Sequence, residues 1–211
     1  KGFKMKNTCE LIGYYGSDEI IALAAWTSTS RELTDEKKDR IPKLIQMLAS
    51  EGHHTPFERG ILHFLLHLDD KSHIHVLKHR ISSTNGESAR YREIKHDNYL
   101  IPDDLPFYWQ DKLKEHSEQG NKLYHECLNS LVMNNGFTRK RAKEVSRYFK
   151  TQNSQLTLDF QINFRSFINF QKLRNSEHAQ VEIKNLSEDM LQLVKNIEGN
   201  PFKYSLESFG L

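Results

Sequence analysis

The sequence predicts a fold that combines a β-sheet with α-helices, because two kinds of apolar pattern occur along its 211 residues. Short apolar or alternating segments at 11–15, 61–68 and 156–162 are typical of strands. Longer segments repeat apolar residues at helical spacing and predict helices. No internal repeat, low-complexity tract or change of composition divides the chain, so we expect a single domain over residues 1–211.

Turn and cap residues set the expected boundaries of the first elements. Gly16 ends the first strand, and Ser17 can cap a helix that continues to about Trp26. Thr34 is a preferred N-cap residue and predicts a second helix, which Gly52 would end.

Two histidine-containing segments follow. His53–Glu58 includes a proline and predicts a rigid turn before the strand at 61–68. Residues 72–80 fit helical spacing, which would put His75 and His79 on one face as i and i+4 neighbours. Such a pair could bind a metal, but no third ligand has matching spacing, and we predict no metal site.

The second half of the chain is predicted to be mainly helical. A stretch from Pro102 to about Met133 has a broad apolar stripe and a possible break at Gly120. Thr138 is expected to cap the next helix. After the strand at 156–162, helices are predicted from 163 to 173 and from 179 to about 197.

The segment from Lys78 to Tyr91 carries the strongest chemical pattern. It begins with three nitrogen-rich side chains and continues through the polar residues Ser82–Gly86, which favour a turn. Arginine forks and accessible backbone N–H groups are suited to phosphate. A solvated basic loop has the same composition, and the residues alone leave both interpretations open.

Bulk properties exclude several classes of function. The formal net charge is only +2 with histidine neutral, so no broad field for nucleic acid or membrane surfaces is expected. Cys9 and Cys127 provide neither a disulfide framework nor a metal site. A reduced compartment, the cytoplasm, is the expectation, and no apolar run approaches the length of a membrane span.

Three separated blocks resemble one family, the flavin-dependent thymidylate synthases. The blocks are residues 52–58, 79–91 and 163–183, and the second contains the His-Arg-Ile-x-Ser-x-Asn-x-x-Ser-x-Arg-Tyr pattern. The resemblance implies an α+β fold with an antiparallel sheet flanked by helices and a helical segment in the second half. It also implies a homotetramer whose sites are shared between subunits.

The resemblance further implies methylation of dUMP at C5. FAD would relay hydride from NADPH, and methylene-tetrahydrofolate would supply the carbon. Arg174 is expected to stabilise negative charge on the uracil ring, and His53 to lie near the flavin and the folate. The residues implied to hold FAD are Ser30, Thr55, Glu58, Lys78, His79, Arg80, Ile81, Asn163, Arg165, Asn169 and His178. Those implied to hold dUMP are His75, Glu87, Ser88, Ala89, Arg90, Arg147 and Arg174.

The chain departs from the family pattern at several positions. Lys78 replaces an arginine, His75 stands where glutamine is frequent, and Phe164 stands where a small residue is usual. Gly86 precedes Glu87, and a positive φ at Gly86 would turn the Glu87 carboxylate into the usual place. Alternatively Glu87 points to solvent and its role is lost or taken by His75, and the residues leave both interpretations open. Two alternatives therefore remain open: a flavin-dependent pyrimidine nucleotide hydroxymethylase, and a catalytically silent nucleotide-binding homologue.

Overall fold

The computed structural model describes residues 6–30, 32–86 and 96–211. Within these ranges four strands form one antiparallel sheet in the order β1-β2-β4-β3. The strands are β1 (Thr8–Tyr15), β2 (Ile61–Asp69), β3 (Ser82–Gly86) and β4 (Gln155–Asn163).

Eight α-helices occur in the described part of the chain. They are α1 (Asp18–Ala25), α2 (Asp35–Ser50), α3 (Asp70–Leu77), α4 (Phe107–Met133), α5 (Arg139–Ser146), α6 (Phe164–Arg174), α7 (Val181–Lys195) and α8 (Lys203–Ser208). Three 3₁₀ helices cover Trp26–Ser28, Thr55–Arg59 and Arg147–Phe149. The predicted α+β class, with an antiparallel sheet and a helical second half, is confirmed. None of the described helices is both long and apolar enough to span a membrane.

The described residues group into two compact units. The first comprises residues 6–8, 67–77, 85–86 and 96–158, and the second comprises residues 9–30, 32–66, 78–84 and 159–211. The single domain over residues 1–211 stays a prediction.

The core of the second unit depends on two aromatic side chains that lie very close to the backbone of Gly60. A Cβ atom on Gly60 would lie 2.9 Å from both Phe164 Cβ and Phe202 Cε1. The Phe164 and Phe202 rings are fully buried and stack with centroids 4.6 Å apart. The Phe164 N–H also donates to the Gly60 carbonyl at 2.8 Å. Phe164, unusual for its position, is therefore a core residue that the absence of a side chain at Gly60 accommodates.

Helix α8 is fixed in the second unit by the buried carboxylate of Asp18. The Asp18 oxygens accept hydrogen bonds from the Tyr204 N–H at 2.7 Å, the Ser205 N–H at 3.0 Å and the Ser205 hydroxyl. Burial raises the pKa of Asp18, although these donors oppose the shift. Sequence reasoning missed α8 because six residues are too few to show a helical period.

In the first unit, α4 continues without interruption past Gly120. The predicted break is wrong because this glycine permits close packing: a Cβ atom there would lie 2.6 Å from the carbonyl oxygen of Phe149. The helix also begins later than predicted, at Phe107, with Pro106 as its N-cap. Pro106 fixes the extended backbone from which the helix starts.

Two local predictions around the basic segment are wrong. Residues Ser82–Gly86 form edge strand β3 and not a turn, because pairing with β4 satisfies the backbone groups that face that strand. Gly86 is not among the glycines with positive φ, and Glu87, which follows it, lies outside the described residues. Helix α3 ends at Leu77, so His79 lies beyond the helix that carries His75.

We predict that Gly120→Ala destabilises the protein although alanine is the better helix former by about 1 kcal/mol. The added methyl group meets backbone, which cannot rotate away, and overpacking of this kind costs about 1–3 kcal/mol. The measurement is the free energy of unfolding in urea. Gly13→Ala is the matched control, because a Cβ atom there meets nothing within 4 Å. An unchanged or higher stability of the Gly120 variant would contradict the packing argument.

Candidate active site

One cavity of about 790 Å³ lies within the second unit. Its walls come from the 3₁₀ helix at Thr55–Arg59, the segment 78–81, helix α6 and the residue that follows α8. The described lining residues are His54, Phe57, Glu58, Lys78, His79, Arg80, Ile81, Arg165, Ser166, Ile168, Asn169, Lys172, Leu173, Arg174 and Phe209.

Helix α6 contributes a complete face to this cavity. Its N-cap is Asn163, whose side-chain oxygen accepts a hydrogen bond from the Ser166 N–H at 2.8 Å. The cap fixes the start of the helix and hence the direction of every later side chain. Arg165, Asn169 and Lys172 then recur at i, i+4 and i+7 and lie on the same side.

His79 and Arg174 form a hydrogen-bonded pair in the cavity wall. The Arg174 Nε–H donates to His79 Nε2 at 3.1 Å. Since a guanidinium can only donate, this ring nitrogen is unprotonated. His79 is 8% exposed and its ring packs on Phe170 with centroids 4.7 Å apart. Burial, aided by the Arg174 charge, lowers the pKa of His79 to about 4.

A second pair joins Glu58 to Arg165. The Arg165 guanidinium donates to the Glu58 carboxylate at 2.8 Å. This ion pair joins α6 to the 3₁₀ helix at Thr55–Arg59. Glu58 is the one acid among the described lining residues, and Arg165 uses it.

The remaining charge of the cavity is positive. Among the described residues no carboxylate forms an ion pair with Lys78, Arg80 or Lys172. Apolar side chains, among them Phe57 and Ile168, cover other parts of the wall. A cavity that combines apolar surface with cations that no described carboxylate pairs is suited to a planar ring system that carries phosphate.

A comparison with known protein families shows the family to which the chain belongs. The model of the family described as "Thymidylate synthase complementing protein" matches residues 10–198. The chain belongs to this family. The predicted family and the prediction of an enzyme are confirmed.

The names of curated relatives agree with the assignment to the thymidylate synthase complementing family. A flavin-dependent thymidylate synthase of Clostridium tetani is 31% identical over 186 residues, covering 83% of this chain and 74% of that protein. One from Pseudothermotoga lettingae is 32% identical over 200 residues, covering 89% and 85%. Among solved structures, a UMP/dUMP methylase PolB from Streptomyces cacaoi bound with 5-Br dUMP has a TM-score of 0.80. It is 23% identical and covers 100% of this chain and 97% of that one, which shows a shared fold.

The cavity of this family member brings together many of the predicted site residues. Those that line it are Glu58, Lys78, His79, Arg80, Ile81, Arg165, Asn169 and Arg174. Asn163 stands at the same helix start as a cap. Their common location follows from two elements, the segment 78–81 and α6, which both belong to the second unit.

Other predicted residues lie elsewhere. His53 and Thr55 line a separate cavity of about 410 Å³ in the second unit, together with Ser28 and Arg59. Ser30 and His178 line neither cavity. His75, on α3, and Arg147, at the start of a 3₁₀ helix, belong to the first unit. Glu87, Ser88, Ala89 and Arg90 lie outside the described residues.

Sequence reasoning missed several lining residues, namely His54, Phe57, Ser166, Ile168, Lys172, Leu173 and Phe209. Lys172 could have been found from its helical spacing to Arg165 and Asn169. Phe209 carries no such signal, because only the folded position of α8 brings it to the cavity.

Cys9 is consistent with chemistry that does not use a thiolate. Burial, with the nearby Asp189 and Glu10 carboxylates, raises the pKa of Cys9 to about 12. At neutral pH this thiol stays protonated and is a poor nucleophile.

We predict that His79 makes stability depend on acid pH. Its pKa is lowered in the folded state, so the unfolded chain binds the proton more readily. The contribution of neutral His79 to the free energy of unfolding is therefore complete above the unfolded-state pKa near 6.5. This contribution is lost as the pH falls toward 4. The expected loss is on the order of 3 kcal/mol.

Unfolding free energies of the wild type and of His79→Gln, measured between pH 7 and pH 4, test this dependence. The glutamine oxygen can still accept from Arg174 but does not titrate in this range. The free energy of unfolding of the wild type, relative to that of His79→Gln, should decrease as the pH falls. A difference that is independent of pH would show that His79 is not buried in its neutral form.

Proposed function

We propose that the protein is a flavin-dependent thymidylate synthase that methylates dUMP at C5. The observation that carries the proposal is the cavity in which Arg165, His79 and Arg174 converge in a member of this family. The names of the curated relatives support a flavin cofactor. NADPH as reductant and methylene-tetrahydrofolate as carbon donor belong to the same proposal.

The residues of the cavity fit FAD. The volume lies within the range of about 300–1,000 Å³ that is usual for cofactor sites. Lys78, Arg80 and Arg165 would hold the pyrophosphate, and the amide of Asn169 can donate to and accept from ring or ribose groups. Apolar contacts from Phe57 and Ile168 suit a flat ring. When bound, the flavin supplies the hydride-transfer chemistry that side chains lack.

Arg174 is the proposed electrostatic catalyst. Its bond to His79 holds the guanidinium in one orientation, and the neutral imidazole does so without adding a competing charge. A fixed cation aimed at negative charge that develops on the pyrimidine can lower the barrier by about 3–4 kcal/mol. His79 is thus proposed as the residue that orients the catalytic arginine.

The dUMP phosphate is assigned to Arg147, Ser88 and Arg90. Arg147 is exposed and lies directly before the exposed aromatic residues Tyr148 and Phe149. In the second cavity His53 lies beside apolar side chains, which supports its proposed place near the flavin and the folate, and Thr55 stays a proposed FAD contact. Glu87 and Ala89 remain proposed substrate contacts outside the described residues.

A homotetramer with shared sites and a cytoplasmic location complete the proposal. Large side chains exposed on the chain, such as Phe107 at 85% and Tyr148 at 79%, support burial against other subunits. Size-exclusion chromatography with light scattering measures the assembly directly. A fully active monomer would exclude composite sites.

The function is tested by the visible spectrum of the purified protein and by product analysis. We expect flavin absorbance, or uptake of added FAD, and formation of dTMP from dUMP with methylene-tetrahydrofolate and NADPH. A hydroxymethylated product would favour the hydroxymethylase alternative. Bound nucleotide without turnover would favour the silent homologue, and failure to bind FAD would contradict the cofactor assignment.

We predict that the two cavity arginines separate binding from chemistry. Arg174→Ala should lower turnover about a hundredfold or more while FAD stays bound, because its charge acts on the pyrimidine. Arg165→Ala should instead weaken FAD binding, since it removes a phosphate donor. Fluorescence titration of FAD and steady-state turnover measure the two effects. Near-wild-type turnover of the Arg174 variant would remove this residue from the mechanism.

A further inference from the structure

Part of the cavity wall comes from a segment that the family model does not match. The match ends at residue 198, whereas Phe209 lines the cavity. The residues from 199 to 211, called here the C-terminal segment, include α8. Asp18 anchors this segment through the backbone of Tyr204 and Ser205.

The ring of Phe209 is held by two neighbours in the same cavity. Its centroid lies 5.0 Å from that of Phe57 at an angle of 74°, and 5.2 Å from that of His54 at 72°. His54 is itself fixed by a hydrogen bond between its Nε2 and the Ala49 carbonyl at 3.1 Å. The Phe209 ring is therefore set in one position by edge-to-face contacts.

Lys172 of α6 lies against this ring. Its ammonium nitrogen is 5.2 Å from the centroid of Phe209, within the range of a cation–π interaction. No described carboxylate forms an ion pair with it, and it lines the cavity. The aromatic ring restricts a long side chain that would otherwise explore many rotamers, which lowers the entropy lost when a ligand binds.

We propose that Lys172 is a phosphate contact of the cavity and that Phe209 is its positioning residue. An ammonium group offers three donors and a compact charge, which suit a phosphate ester or pyrophosphate. That the phosphate belongs to FAD rests on the proposed function; that the site takes an anion rests on the contacts of Lys172 alone. The C-terminal segment thereby tunes the affinity of a cavity whose described cations, Lys172 included, all lie in the family-matched part.

The test uses the full chain stripped of bound flavin and two probes, inorganic pyrophosphate and FAD. Lys172→Met should weaken binding of both roughly tenfold, as expected for loss of one charged hydrogen bond. Phe209→Leu should weaken binding by a similar factor, and the double variant no further than Lys172→Met. Phe209→Tyr keeps the ring and should restore binding. Pyrophosphate is followed by the shift in Tm and FAD by fluorescence.

Lys203→Met is the matched control. Lys203 lies over the Tyr204 ring at 5.6 Å but does not line the cavity, so this variant removes the same charge and the same kind of contact. It should bind both probes like the wild type.

The outcomes separate the inference from the proposed function. Equal pyrophosphate shifts in the wild type and Lys172→Met would overturn the role of Lys172, even if FAD binds. Additive losses in the double variant, or no rescue by Phe209→Tyr, would overturn the positioning role. If pyrophosphate binding depends on Lys172 but the protein does not bind FAD, the anion site is supported. The flavin assignment is then contradicted.

Discussion

The close approach at Gly60 is the constraint on which the second unit depends. Where a side chain would stand, the rings of Phe164 and Phe202 meet. Phe164 is the first residue of α6, so this contact fixes the helix that carries much of the cavity wall. Phe202 directly precedes α8, so the same contact positions the segment that ends at Phe209. A single missing Cβ atom thus aligns two walls of the site.

Repulsion among the cationic side chains of the cavity destabilises the protein, and a bound anionic ligand would reduce this repulsion. Five of its described side chains are cationic and only Glu58 is acidic. Like charges repel one another in a partly desolvated space, and salt or a bound anion reduces that repulsion. Local sequence rules are expected to be broken at functional sites, and this accumulation of cations is such a violation. Three of these cations lie on α6, whose buried residues are mainly aromatic and aliphatic, so the helix combines a stabilising role with a binding role.

The sequence predicted most elements whose signals are local. Ser17, Thr34, Thr138 and Asn163 all cap helices through side-chain hydrogen bonds, because capping depends on the residue and its immediate neighbours. The failures were non-local. Residues 82–86 have turn-forming side chains but become a strand because β4 is available to pair with them.

The predictions for the candidate site also succeeded in part and failed in part. The resemblance assigned Lys78, His79 and Arg165 to FAD and Arg174 to dUMP, and all four line one cavity. It did not separate His53 and Thr55, which line a different cavity. Phe209 was invisible because its place depends on a contact with residues far away in the chain, which no local period can encode.

The anchoring of α8 by Asp18 has a consequence for how the protein comes to be folded. The hydrogen bond between Asp18 and the Ser205 N–H joins residues 187 positions apart. Closing so long a loop is entropically costly and comes after the shorter-range contacts of the sheet and helices. A chain emerging from the ribosome can form α1 early, but its buried carboxylate stays without these donors until residue 205 has been made. The wall containing Phe209 is therefore expected to be the last part of the cavity to form, because it depends on residues as far along the chain as Ser205.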